Sequence, residues 1–163
     1  DGDLIMHTGP YDHRPVALRT FEHTWRRGGY WALVVLKPGE MPVAAEEMEV
    51  VRAAAGLERV ERYTDAAVAY EAIIERWPRG FPAWVGLGNV RYATKDLAGA
   101  EAAWRGAIAA DPENTAPAWN NLAYVLQALG RRQEAMEAAE KAVDLGGPDD
   151  PNYRSTLDEI TNM

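Results

Sequence analysis

By residue type, His7, His13 and His23 are the side chains of this chain best suited to chemistry. Imidazole nitrogens ligate zinc, so three of them invite a metal site. Their spacings are six and ten residues, with no i, i+4 pair to aim two ligands from one helical face. Ordinary loop and surface positions fit them better. A serine hydrolase fits worse: the single serine, Ser155, lies near the end, and no nucleophile-elbow pattern surrounds it. The chain has no cysteine, which excludes thiolate catalysis, thiolate metal sites and disulfides within it. Neither catalysis nor a metal or other cofactor is expected.

A second set is gentler in its chemistry. Val85, Asn89 and Tyr92 follow helical spacing, as do Asn120, Tyr124 and Gln127. Asn and Tyr at neighbouring positions can hydrogen-bond an extended backbone while keeping an apolar surface. These six are the candidate peptide-binding residues, with Val51, Ala55 and Arg59 continuing the row upstream. Ordinary solvated helix positions explain the same residues equally well.

The elements that would hold this row repeat. "PAWVGLGNV" begins at Pro82, and thirty-five residues later "PAWNNLAYV" begins at Pro117. With Phe81 as first position, Trp84 is fourth, Leu87 seventh, Gly88 eighth, Ala100 twentieth, Trp104 twenty-fourth, Ala107 twenty-seventh and Pro112 thirty-second. This pattern resembles the tetratricopeptide repeat, a 34-residue helix–turn–helix. The next copy starts at Ala116, after one extra residue, Thr115, and gives Trp119, Leu122, Ala123, Ala135, Ala139 and Ala142, with its Pro displaced to Pro148. A preceding copy from Glu47 keeps Ala66, Tyr70, Ile73 and Pro78 but has Val50 at the Trp position. "DPNYRSTLDEI" places Tyr153 on the Trp position of a fourth copy that stops after one helix, as a cap would.

Stacking explains the pattern, because a lone helical hairpin cannot bury both faces. Ala100, Ala107, Ala135 and Ala142 are expected where the helices of one unit cross closely, and Tyr70, Trp84, Leu87, Trp104 and Trp119 between units. Pro82 and Pro117 fall in first turns, where a missing N–H costs nothing. Asp65 and Asp96 are expected to cap helices. Arg131 and Arg132 are expected in a solvent-facing turn. In stacked hairpins the first helices line a concave groove that often receives a peptide. Tetratricopeptide domains that grip a chaperone's C-terminal carboxylate use Lys, Asn and Arg at fixed groove positions. Val51, Ala55 and Pro117 stand at such positions, so that clamp is absent.

The first 42 residues have another rhythm. "DLIMH" and "YWALVVL" are strand-like. Between them "TFEHTWRRGG" reads as a short helix, capped by Thr20, with Phe21 and Trp25 on one face and Gly28-Gly29 as its stop. "KPGEMP" is a turn. This order resembles the end of a C39-like peptidase domain, a papain-like bacterial family sometimes followed by tetratricopeptide repeats. In that family the Cys nucleophile and His base lie earlier, and an Asp-Pro pair would fall near His7-Thr8, which is neither. The resemblance implies a C-terminal piece of a larger, bacterial peptidase-related protein.

The expected architecture is mainly α: a tetratricopeptide-type helical-hairpin solenoid, with a C-terminal capping helix and a small N-terminal α/β segment. Its divisions are 1–42, the peptidase remnant, and 43–163. The latter holds units 47–80, 81–115 and 116–149 and the cap 150–162. Apolar residues make up 47% of the 163, enough for a core. The net charge of −8 lies wholly after residue 42 and disfavours phosphate backbones and anionic membranes. No apolar run is long enough to span a membrane. The expected partner is a protein or peptide, with neither nucleic acid binding nor membrane insertion. Self-association without a peptide ligand, and a hydrolase in an upstream domain, are the alternatives. Bacterial cytoplasm and periplasm are both open as compartments.

Overall fold

A computed structural model describes residues 3–8, 11–17, 37–43, 45–113, 115–147 and 150–162. The chain divides into two compact units, Asp1–Val35 and Leu36–Met163. In the first, β1 (Asp3–Thr8) and β2 (Tyr11–Ala17) form an antiparallel pair. Asp3 faces Ala17 and Ile5 faces Pro15, with an irregular register between Met6 and Thr8. The apolar run "LIMH" forms β1 as its residues suggest. β2 has no such signature, since Asp12, His13, Arg14 and Pro15 interrupt it. A two-stranded sheet leaves each strand one unpaired edge, where proline is tolerated. The expected "TFEHTWRRGG" helix and "YWALVVL" strand lie outside the described residues.

The second unit opens on a turn. Glu40 N–H donates to the Lys37 carbonyl at 3.0 Å, and Gly39 has φ +87. That left-handed backbone suits glycine and follows Pro38. Seven helices follow among the described residues: α1 (Glu47–Arg59), α2 (Tyr63–Arg76), α3 (Phe81–Ala93), α4 (Leu97–Ala110), α5 (Ala116–Ala128), α6 (Arg132–Gly146) and α7 (Pro151–Thr161). Each packs on its sequence neighbours, α1 also touches α3, and α5 also touches α7. Those two alternate pairs lie side by side, as in stacked hairpins.

Local chemistry sets the helix ends. Pro82, Pro117 and Pro151 occupy first turns, where no intrahelical donor is needed. Asp96 caps α4, accepting from Gly99 N–H at 2.9 Å, and Asp150 caps α7 by accepting from Asn152 N–H at 2.9 Å. Asp65 does not cap. Helix α2 begins two residues earlier, at Tyr63, and Asp65 instead pairs with Arg62 at 2.5 Å. The reason is the preceding turn. Glu61, Lys95 and Gly130 occupy the same place in three successive hairpins, with φ of 60, 66 and 75. After each, an N–H reaches back five residues: Arg62 to Leu57, Asp96 to Arg91, Arg131 to Leu126. This closes each first helix and fixes where the next one starts. Between α4 and α5, the additional Thr115 is buried at 1% exposure, and its carbonyl accepts from Trp119 N–H at 2.9 Å.

Glycine and alanine admit the large side chains. A Cβ at Gly86 would stand 2.3 Å from the Tyr70 ring, one at Gly88 2.3 Å from the Trp104 indole, and one at Gly106 2.5 Å from the Trp84 indole. Tyr70 and Trp104 bridge hairpins: Tyr70 reaches α3, and Trp104 joins the core cluster holding Leu122, Ala123 and Leu126 of α5. Trp84 packs against the cluster that joins the first two hairpins. It lies over Gly106 of its own hairpin and donates its indole N–H to the Pro78 carbonyl at 2.9 Å. Ala100, Ala107, Ala135 and Ala142 are fully buried. At the end of the stack, α7 buries Ile160 and Thr156.

Arg131 is not a free solvated charge. It donates to both oxygens of Glu101, at 2.8 and 2.7 Å, and pairs with Glu134, so α4 is tied to α6. Arg132 is exposed, yet its guanidinium donates to the Thr161 carbonyl at 2.8 Å. Arg91 likewise pairs with Glu71 of α2 and with Asp96 at 2.9 Å.

Candidate functional site

The candidate row lies on α3 and α5, and all six of its residues are half-buried. A polar contact links the two helices: Asn121 Nδ2 donates to Asn89 Oδ1 at 3.3 Å. Asn121 was not among the expected residues. It stands where the preceding hairpin has Gly86, and the change from glycine to a carboxamide is the signal that could have revealed it.

Tyr92 packs against Trp104, with ring centroids 5.8 Å apart and planes inclined by 44°. The Lys95 ammonium stands 5.9 Å from the Tyr92 ring centroid, near the outer limit of cation–π attraction. The Tyr124 hydroxyl accepts from Thr156 Oγ1 of α7 at 3.0 Å. Tyr124 therefore helps seat the last helix. Val85 supplies apolar surface on α3, and Gln127 extends the row along α5.

Asn120 is the chemically unusual member. Its Oδ1 is shielded from solvent, and no described residue donates to it. A buried acceptor without a donor costs about 1–3 kcal/mol. Trp104 Nε1 is likewise shielded and without an acceptor, although its ring is firmly packed.

The upstream part of the row fails. Val51 is 8% exposed and belongs to the core cluster with Ala54, Tyr70 and Leu87. Its Cβ points inward because α1 turns that face toward α2 and α3. Ala55 is half-buried and Arg59 is exposed. Glu58 takes the polar role there instead, accepting from the Tyr70 hydroxyl at 3.1 Å. Burial pushes the Tyr70 phenol far above its ordinary range, and the Glu58 carboxylate adds to the effect.

His7 and His13 fall on β1 and β2, and His23 lies outside the described residues. Among the described residues, no group of three or more His, Asp or Glu is placed to hold a metal ion. None of the described helices is long and apolar enough to cross a membrane.

Residues 51–115 match one tetratricopeptide-repeat family model, and residues 116–145 match a second. No curated protein matches the sequence. Among solved structures, the chain resembles the first tetratricopeptide domain of Spaghetti (RPAP3) bound to the HSP90 peptide SRMEEVD. That match has 16% identity and a TM-score of 0.66, covering 74% of this chain and 97% of that one. YrrB, a tetratricopeptide protein with an unusual peptide-binding site, shares 23% identity with a TM-score of 0.62. The match covers 71% of this chain and 58% of YrrB. MamA from Desulfovibrio magneticus RS-1, residue 41 to its end, shares 22% identity with a TM-score of 0.63, covering 72% and 65%. At such identities the likeness concerns the fold.

Proposed function

Because the chain belongs to the tetratricopeptide-repeat family, we propose that it binds an extended segment of another protein along the α3–α5 row and performs no catalysis itself. The observation that carries this reading is the half-buried row of carboxamides and phenols on α3 and α5. Such a row suits a main chain better than a charged side chain, because its groups are neutral donors and acceptors. RPAP3's two tetratricopeptide domains, bound to the peptides SRMEEVD and SGPTIEEVD, support a peptide ligand by fold analogy. Acidic tails of that kind do not suit this chain. The net charge is −8, which repels an acidic tail.

Residues 47–80, 81–115 and 116–149 are proposed as the three repeating units, with 150–162 as the cap. For residues 1–42, a C39-like parent rests on the "LIMH" to "KPGEMP" pattern alone. Gene sequence upstream of Asp1 without a Cys codon and a His-bearing strand would sink that parentage and leave the binding role untouched.

The test is selection of binders from a displayed peptide library on the full chain, followed by titration of Asn120→Ala and Tyr92→Ala. Each variant is expected to weaken the selected peptide by about five- to tenfold, the loss of one hydrogen-bonding or packing group. Unchanged affinity in both overturns the assignment of the row. Light scattering across a concentration series addresses the self-association alternative, and concentration-dependent mass without peptide binding would favour it.

A further inference from the structure

On the side of the stack formed by the second helices, a cleft of about 380 Å³ is lined by residues of α4, α5 and α6. Its apolar lining includes Trp119, Leu122 and Leu126, and its charged rim includes Glu137, Glu140 and Asp144. The preceding hairpin closes the equivalent place. There Trp84 has Gly106 beneath its ring, and the positions matching the three carboxylates are Ala102, Arg105 and Ala109. Arg91 stands where the later hairpin has Leu126, and it pairs with Glu71. In the later hairpin Lys141 replaces Gly106, and Trp119 is half-buried.

The charges of the cleft sort themselves. Arg105 pairs with Glu101 at 3.0 Å and with Glu134 at 3.9 Å, and Arg131 pairs with the same two carboxylates. Those four groups neutralise one another. Glu137, Glu140 and Asp144 remain against the single ammonium of Lys141. Residues 137, 140, 141 and 144 share one face of α6 by their spacing. No metal-binding group exists among the described residues, so an inorganic cation is a poor complement.

We propose that this outer cleft binds a basic segment of a partner protein. A lysine or arginine stem lies along the half-buried Trp119, and its charged end meets Glu137, Glu140 and Asp144. The aromatic floor and anionic rim suit an amphipathic cation, which keeps its aliphatic stem on apolar surface and its charge outside. The volume admits one or two side chains, so recognition is local. This site is separate from the α3–α5 row and does not rest on it.

The experiment is an NMR titration of the full chain with an acetylated Leu-Lys-Leu-Lys-Leu amide and with its Leu-Glu-Leu-Glu-Leu counterpart. The Trp119 indole N–H resonance is assigned from Trp119→Phe. The lysine peptide is expected to shift that resonance saturably, and the glutamate peptide to leave it in place. Reversing Glu140→Lys with Asp144→Lys, both exposed, is expected to weaken binding about tenfold, and Lys141→Glu to tighten it. Glu46→Lys with Glu49→Lys, also exposed and at the start of α1, serves as the charge control. Tyr92→Ala should leave the Trp119 response intact. An unmoved resonance overturns the proposal. Equal loss in the control pair overturns it too, because general attraction to an acidic chain then accounts for the effect.

Discussion

The hairpins α3–α4 and α5–α6 share a skeleton and differ in how they fill it. Trp84 and Trp119, Leu87 and Leu122, Ala100 and Ala135, and Ala107 and Ala142 are equivalent pairs. Around them the first hairpin alternates glycine with aromatic rings: Gly86 receives Tyr70, Gly88 receives Trp104 and Gly106 receives Trp84. The second replaces these glycines with Asn121, Ala123 and Lys141, and replaces Trp104 with Ala139. One hairpin is cemented on both sides. The other keeps the same backbone with less aromatic filling and gains polar groups where the first has sockets. Architecture thus resides in the shared letters, and the proposed binding groups lie where the letters diverge.

The largest test of that contrast is Trp104→Ala. Removing a ring that is 3% exposed and bridges two hairpins is expected to cost about 3–5 kcal/mol by urea denaturation. Ala139, its equivalent, has no ring to lose. A cost below about 1 kcal/mol would show that the two hairpins are not cemented differently. Glycine substitutions come next and should differ in sign. Gly86→Ala, whose Cβ would stand 2.3 Å from Tyr70, is expected to cost about 1–3 kcal/mol. Gly56→Ala in α1 meets nothing within 4 Å and is expected to stabilise by up to about 1 kcal/mol. Equal effects in melting experiments would refute the socket reading.

The smallest effect concerns the caps. Asp96→Ala is expected to cost about 1 kcal/mol, whereas Arg131, the equivalent residue, offers no side-chain cap. The Gly99 N–H, helped by Arg91, holds the Asp96 carboxyl below its ordinary value. A depressed folded pKa means its stabilisation is complete above the unfolded carboxylate range, about pH 4, and fades as pH falls through the lower folded value. The acid limb of stability should therefore flatten in Asp96→Ala, as followed by helical circular dichroism between pH 5 and pH 2. An unchanged limb would detach the cap from acid stability.

Much of the fold was legible because its signals are local. Pro82 and Pro117 mark helix starts through their own missing N–H, and Asp96 caps within three residues. Asp65 misled because its helix start is set upstream, by the left-handed Glu61. Arg131 misled for a different reason: Glu101, its partner, is thirty residues away, and pairing across that distance leaves no mark in a local pattern. The candidate row was legible as helical spacing but not in its contacts. Asn89, Tyr92, Asn120 and Tyr124 fall on α3 and α5 at the expected spacing. That Asn121 would engage Asn89, or that Thr156 would engage Tyr124, depends on how separate hairpins stack. Val51 was misplaced because its helix has no Trp to show which face turns inward.

The seam at Thr115 has a consequence for growth. The first helices of successive hairpins begin at Glu47, Phe81 and Ala116, so the offset lengthens by one residue at this joint. The added residue is absorbed in the connection, and both flanking helices keep their buried faces. A joint that tolerates a change of length is a place where a whole hairpin can be spliced. The inserted copy would present to each neighbour the kind of surface that neighbour already packs against. The number of units is thus a parameter the sequence can change without redesigning any one of them.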